Sequence, residues 1–101
     1  MRQITRSTLA ESDYRAIIEY LLEYSEPAAD KFANDLTSRL RMIADQPRMG
    51  RERDDLASGV RSTVVGRYVV FYRYSDVEMV VLRIIHGSRD IPRVFDEAGE
   101  A

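Results

Sequence analysis

Few side chains in this sequence can break a covalent bond. Its 101 residues hold one histidine, His86, one lysine, Lys31, and no cysteine, while fourteen arginines supply nearly all the positive charge. His86 sits three residues from Arg83 on one side and from Arg89 on the other. Histidine's unperturbed pKa lies near neutrality, and arginine pairs bidentately with phosphate. His86, Arg83 and Arg89, joined by Arg61, therefore form a set able to hold a phosphate and move a proton. A lone histidine at a strand end is more often a hydrogen-bonding residue of the framework, and that is the reading adopted for His86. Gly87 is expected to give the following turn a positive φ angle, and Arg89 and Asp90 to pair locally and hold the carboxyl segment on the sheet.

The remaining chemistry is excluded more simply. No glycine-rich phosphate loop or nucleophile elbow occurs. One histidine and no cysteine make a transition-metal site improbable, so no metal or cofactor is expected. Glu19 and Glu23, spaced i, i+4, read as a solvated helix face. Tyr14, Tyr20 and Tyr24 read as core and boundary residues rather than a base-stacking platform.

Those side chains must be positioned by a single domain, since chains divide only beyond ~250 residues. Arg2 to Arg6 fits a leading strand. Thr8 and Glu11 have the spacing of a capping box, and Tyr14, Ile17, Ile18, Leu21 and Leu22 then mark one apolar helix face ending near Tyr24. Ser25-Glu26-Pro27 restarts a helix, whose stripe is Ala29, Phe32, Leu36, Leu40 and Ile43, with Pro47 as its stop. So short a joint predicts an antiparallel helix hairpin. Gln46 to Gly59 is a polar loop. Beyond it the period becomes two, in Val60–Val65, Arg67–Tyr74 and Val77–His86, with turns at Gly66 and Ser75-Asp76.

The predicted fold is thus α+β: an N-terminal strand, a helix hairpin and a three-stranded antiparallel meander, in the order β-α-α-β-β-β. Strict alternation puts Tyr68, Val70, Tyr72, Val80, Leu82 and Ile84 against the helices. It puts Val69, Phe71, Arg73, Met79, Val81, Arg83 and Ile85 on the other face, with Arg61 joining them if the register is simple. Nothing in the chain visibly covers that second face, which makes it a binding surface by default.

Charge is uneven along the chain. Residues 1–38 carry four bases and seven acids, net −3; residues 39–93 carry eleven and seven, net +4; residues 94–101 add three acids. A basic middle points to a localised anionic partner rather than to general nucleic-acid coating. No apolar run approaches the ~20 residues of a membrane span, and the first ten residues lack a signal-peptide core. A soluble, cytoplasmic protein is expected, with an acidic tail, Asp96 to Ala101, expected to be disordered.

The order of elements, the segment Tyr68-Val69-Val70-Phe71-Tyr72-Arg73-Tyr74 and the run Leu82-Arg83-Ile84-Ile85-His86-Gly87-Ser88-Arg89-Asp90-Ile91 resemble the RelE/ParE superfamily of toxins. The ParE branch is the nearer. The loop Pro47-Arg48-Met49-Gly50-Arg51 and the strand start at Arg61 fit the same pattern. The resemblance implies the toxin of a type II toxin–antitoxin pair, neutralised by a ParD-like antitoxin. RelE-like members cleave messenger RNA on the ribosome, using clustered Lys and Arg and often a Tyr or His near the carboxyl end. ParE-like members inhibit DNA gyrase by binding. Here Ile91 to Ala101 contains no Tyr, His or Lys, and its one aromatic, Phe95, cannot transfer a proton.

Gyrase inhibition without catalysis is accordingly the expected function. A ribosome-dependent ribonuclease using His86, Arg61, Arg83 and Arg89 is the alternative, and a non-toxic relative that only binds antitoxin is a third. His86, Gly87, Arg89, Asp90, Ile91 and Phe95 are the expected target-binding set. Tyr20, Tyr24, Leu36, Leu40, Arg61, Arg73 and Arg83 are expected to meet an acidic antitoxin tail that folds into a groove between helices and sheet. No sequence-specific DNA binding by the chain alone and no membrane contact are expected.

Overall fold

The leading strand runs into its helix through Ser7, whose side chain does two things at once. Its Oγ accepts from the Ala10 amide at 3.0 Å and donates to the Leu82 carbonyl at 2.8 Å. Ser7, not Thr8, is therefore the cap, and Glu11 turns instead to Arg6, 3.0 Å away. The cap residue that also reaches the sheet wins over its neighbour of equal capping ability.

In the computed structural model, which describes residues 2–97, strand β1 (Gln3–Arg6) is followed by helices α1 (Thr8–Tyr24) and α2 (Glu26–Asp45). Ser25 ends α1 and caps α2, accepting from the Ala28 amide, and Pro27 occupies the first turn. The two helices share this single joint residue and fold into the expected hairpin. A 3₁₀ turn (Pro47–Met49) and a two-residue strand β2 (Arg51–Glu52) interrupt the expected loop. Strands β3 (Arg61–Val65), β4 (Tyr68–Tyr74) and β5 (Glu78–His86) follow, then a short helix α3 (Ile91–Glu97).

The five strands form one sheet in the order β1-β5-β4-β3-β2. β1 runs parallel to β5, and the other pairs are antiparallel. The helix hairpin covers one face. Its core joins Ile17, Phe32, Leu36, Leu40 and Ile43 to Val65, Val70, Tyr72, Met79, Val81 and Ile84. Leu22, read as part of the α1 stripe, is exposed at its margin.

Three departures from the expected sheet matter for function. Phe71 pairs with Arg83 but Tyr72 pairs with Val81, so Leu82 is a bulge residue. The extra residue turns Met79 and Val81 toward the helices and Val80 and Leu82 away, reversing the expected assignment while leaving Ile84 and Ile85 as read. Arg61 lies opposite Tyr72, and directly opposed residues share a face; it therefore belongs to the helix side. Finally, the second face is not open. Leu56, Ala57 and Val60 from the loop and Ile91, Val94 and Phe95 from α3 pack on Phe71, Leu82 and Ile85 as a second core. The default binding surface of the sequence reading is an interior.

Candidate functional site

The joint between α1 and α2 leaves an opening that the β3–β4 turn faces. Gly66, at φ 59°, makes that turn with the positive angle glycine allows, and Arg67 follows it to the rim. The resulting groove has a volume of about 500 Å³. Tyr20 and Tyr24 form one wall, their rings edge to face at 5.1 Å and their hydroxyls 3.2 Å apart. That hydrogen bond pushes the Tyr20 hydroxyl above the usual tyrosine range, with Arg67 pulling the other way. Phe32 and Tyr68 form the floor at 5.1 Å, and Tyr68 meets the His86 ring edge-on at 5.2 Å. Burial raises the Tyr68 hydroxyl. Lys31 and Asp35 on the α2 side neutralise each other at 2.8 Å.

His86 is held rather than poised. The Ser88 amide donates to its Nδ1 at 3.1 Å, and the Ser88 hydroxyl lies 2.7 Å from the same nitrogen. The neutral ring therefore keeps its proton on Nε2. Arg83 is engaged within the chain: Nε and an Nη donate to Asp13 at 2.8 and 3.0 Å, and the other Nη reaches the Val94 carbonyl. Asp13 also accepts from the Ile84 amide at 2.9 Å, which lies on the edge of β5 beyond the end of β1. One carboxylate thus ties α1 to the uncovered edge of the last strand.

Arg61 does not join them. It donates to the Arg48 and Gly50 carbonyls and pairs with Glu52. Its cross-strand partner Tyr72 lies four residues along β4 from Tyr68, the partner of His86, a separation of about 13 Å. His86, Arg83 and Arg89 do line a smaller pocket of about 190 Å³ together with Asp13. Of the four residues assigned to the alternative chemistry, the fold gathers three, and commits one of those to a carboxylate.

The expected target-binding residues divide similarly. Arg89 is exposed. Gly87 donates its amide to the Arg67 carbonyl at 2.9 Å, and positive φ is confined to Gly59 and Gly66 among the described residues, so the turn angle expected of Gly87 is not adopted. Asp90 caps α3 through the Val94 and Arg93 amides rather than pairing with Arg89. Ile91 is half-buried, and Phe95, 1 % exposed, is the centre of the second core, 5.4 Å from the Phe71 ring. Phe95 is therefore corrected from a contact residue to a core residue. Asp96 and Glu97 belong to α3, while 98–101 lie outside the described residues.

Among the residues expected to meet an antitoxin, Tyr20 and Tyr24 are 51 % and 72 % exposed at the groove. Leu36 and Leu40 are internal, because the α2 stripe that marks them is the face turned to the sheet. Arg61, Arg73 and Arg83 are already engaged by this chain, Arg73 with the Ser58 carbonyl. The sequence reading missed Arg67 and Tyr68 as groove residues. The signal for Arg67 was its place directly after the turn glycine. Among the described residues no group of His, Asp and Glu could hold a metal ion, and no helix is long and apolar enough to cross a membrane.

A family model described as the ParE toxin of type II toxin–antitoxin systems, parDE, matches residues 4–91. The chain belongs to the ParE toxin family. Its similarity to Toxin ParE1 of Caulobacter vibrioides is 40% identity over 63 residues, 62% of this chain and 64% of that protein. Toxin ParE3 of the same organism is 34% identical over 58 residues, 57% of this chain and 58% of the relative. Toxin ParE1 of Mycobacterium tuberculosis is 29% identical over 66 residues, 64% and 67% of the two chains. The matched region spans less than two thirds of the two Caulobacter proteins. A solved structure titled as the chromosomal ParDE TA system from P. aeruginosa superposes with a TM-score of 0.69 at 21% identity, covering 85% of this chain and 96% of that one. At that identity the match concerns the fold, and it places this ParE-family chain on the strand, helix-hairpin and meander architecture read from the sequence.

Proposed function

We propose that this ParE-family chain is the toxin of a type II pair that acts by binding DNA gyrase, in the cytoplasm, and is silenced by a ParD-like antitoxin whose tail occupies the Tyr20–Tyr24 groove. The observation that carries the reading is the commitment of the arginines. Arg83 is bound bidentately by Asp13 and Arg61 by backbone carbonyls and Glu52, so two of the three arginines that the ribonuclease reading calls on are already engaged by this chain rather than held ready for a scissile phosphate. An aromatic, partly basic groove of about 500 Å³ suits instead an apolar segment of a partner that orders on binding. Purified protein is expected to block gyrase supercoiling and to leave ribosome-bound message intact; the opposite pair of results overturns the proposal.

The pocket shared by His86, Arg83 and Arg89 is the one observation that favours ribosome-dependent cleavage. That reading requires His86→Ala to abolish message cleavage with the fold preserved, and it ends if the parent protein cleaves nothing.

A further inference from the structure

Beyond the end of β1, the last strand runs on without a strand neighbour on that side. The β1–β5 register stops at Arg6 opposite Val81, while β5 continues to His86 with β4 along its other side. Leu82 to His86 span about 17 Å at ~3.4 Å per residue, the length of an ordinary strand. Such an edge is a template on which another chain can pair. It is not walled off by bulk. The hollow of about 190 Å³ opens beside it, lined by Ala16 and Ile17 of α1, Val94 of α3, and Ile84 and His86 of the strand itself.

The edge is nevertheless occupied group by group. The Leu82 carbonyl accepts from the Ser7 hydroxyl at 2.8 Å, the Ile84 amide donates to Asp13 at 2.9 Å, and the His86 carbonyl accepts from the Arg89 amide at 3.0 Å. Two of these three partners are side chains from the start of α1, not another strand. Asp13 also differs from the carboxylates that pair with cations at the surface. Glu11, Asp35, Asp55 and Glu52 are each at least 49 % exposed, against 16 % for Asp13. Its Oδ2 accepts from both Arg83 Nε and the Ile84 amide, and its Oδ1 from an Arg83 Nη. A buried ion pair contributes little that apolar residues of similar volume would not, so its place at a strand edge is explained by what it excludes.

We infer that Asp13 is an edge guard: by holding the Ile84 amide while paired with Arg83, it keeps a second copy of this chain from adding to the unpartnered end of β5. Two copies that share one edge meet about a two-fold axis, which makes the pairing antiparallel. In a pair centred on Ile84, each copy's Ile84 amide would donate to the Ile84 carbonyl of the other. Asp13 takes that donor in advance. An incoming strand must displace a mostly buried carboxylate before it gains this hydrogen bond.

The test compares two double variants that differ only in the acceptor at position 13. Asp13→Ala/Arg83→Met opens the edge without leaving a buried charge, and Asp13→Asn/Arg83→Met keeps an oxygen for the Ile84 amide. Light scattering after size exclusion, over about a hundredfold range of concentration, reads association. Amide exchange followed by NMR reads the Ile84 N–H. The parent and the Asp13→Asn/Arg83→Met variant are expected to stay monomeric. The Asp13→Ala/Arg83→Met variant is expected to dimerise as concentration rises, with its Ile84 amide exchanging about tenfold more slowly in the dimer. The same comparison with Arg83→Gln, which keeps a donor for the Val94 carbonyl, covers a failure of Arg83→Met to fold. The inference is overturned by a parent that dimerises with new protection of Ile84, or by a folded Asp13→Ala double variant that stays monomeric. Association that leaves Ile84 exchange unchanged, or equal association of the two double variants, overturns it as well.

Discussion

Replacing Arg83 with Met separates a framework role for this residue from a chemical one. The guanidinium and the Asp13 carboxylate are 12 % and 16 % exposed, with contacts of 2.8 and 3.0 Å between them. Removing the arginine leaves a mostly buried carboxylate with the Ile84 amide, at 2.9 Å, as its remaining donor among the described residues. Breaking a buried pair from one side costs about 3–5 kcal/mol, and the residual exposure of Asp13 favours the lower end, about 3 kcal/mol. In a domain of this size each kcal/mol moves Tm by about 4–8 °C, so a fall of about 12–24 °C is expected. Asp13→Asn keeps an acceptor for the Ile84 amide and should cost about 1–2 kcal/mol. The double variant should be less damaged than the two losses added, with a coupling of about 1–2 kcal/mol. Urea unfolding measures all three, provided the slope is unchanged. The proposed gyrase inhibition, assayed where Arg83→Met remains folded, should persist per folded molecule. A variant of parental stability that has lost all activity would refute the reasoning and return Arg83 to a reacting site.

Other perturbations test the remaining elements. Phe95→Ala should cost about 3–5 kcal/mol and expose the second core to a hydrophobic dye, whereas a surface contact residue would leave the melting curve in place. Gly50→Ala should cost about 1–3 kcal/mol, because a Cβ there would stand 2.0 Å from the Tyr72 hydroxyl, which is held by the Pro47 carbonyl at 2.6 Å; Tyr72→Phe in the same background should recover part of it. The Arg53 hydrogen bond holds the Asp55 carboxyl below its ordinary value. A lowered folded-state pKa stabilises above the unfolded value and is lost as pH falls through the folded one. NMR titration should therefore find Asp55 ionised below pH 3.8, and Arg53→Gln should restore the normal midpoint.

The helix hairpin was readable because both stripes are periodic and Ser25-Glu26-Pro27 is a joint no other element uses. The meander was readable from Gly66 and Ser75-Asp76. What escaped depended on contacts distant in sequence. Leu82 carries no mark of a bulge, since it is neither glycine nor proline and only pairing with β4 shows it as extra. Arg61 changed faces through the same pairing, which alternation counted from within β3 could not supply. α3 covers the second face through Phe95, and a seven-residue helix leaves too little periodicity to be seen. At the groove, Tyr20 and Tyr24 were named as contacts while also being read as core and boundary residues, and their exposure came only with the fold, whereas Leu36 and Leu40 were drawn in by an apolar stripe that serves the interior. Arg67 was overlooked because its place at the rim is made by a turn, and one guanidinium among fourteen carries no distinguishing pattern.

The parallel pairing of β1 with β5 bears on when the molecule comes into being. During synthesis the amino-terminal strand emerges first and has no neighbour until Met79 and Val80 follow it, so the hairpin helices wait on an incomplete sheet. A nascent chain of this design stays unassembled until its final strand leaves the ribosome, which makes contacts between distant residues the slow step of maturation.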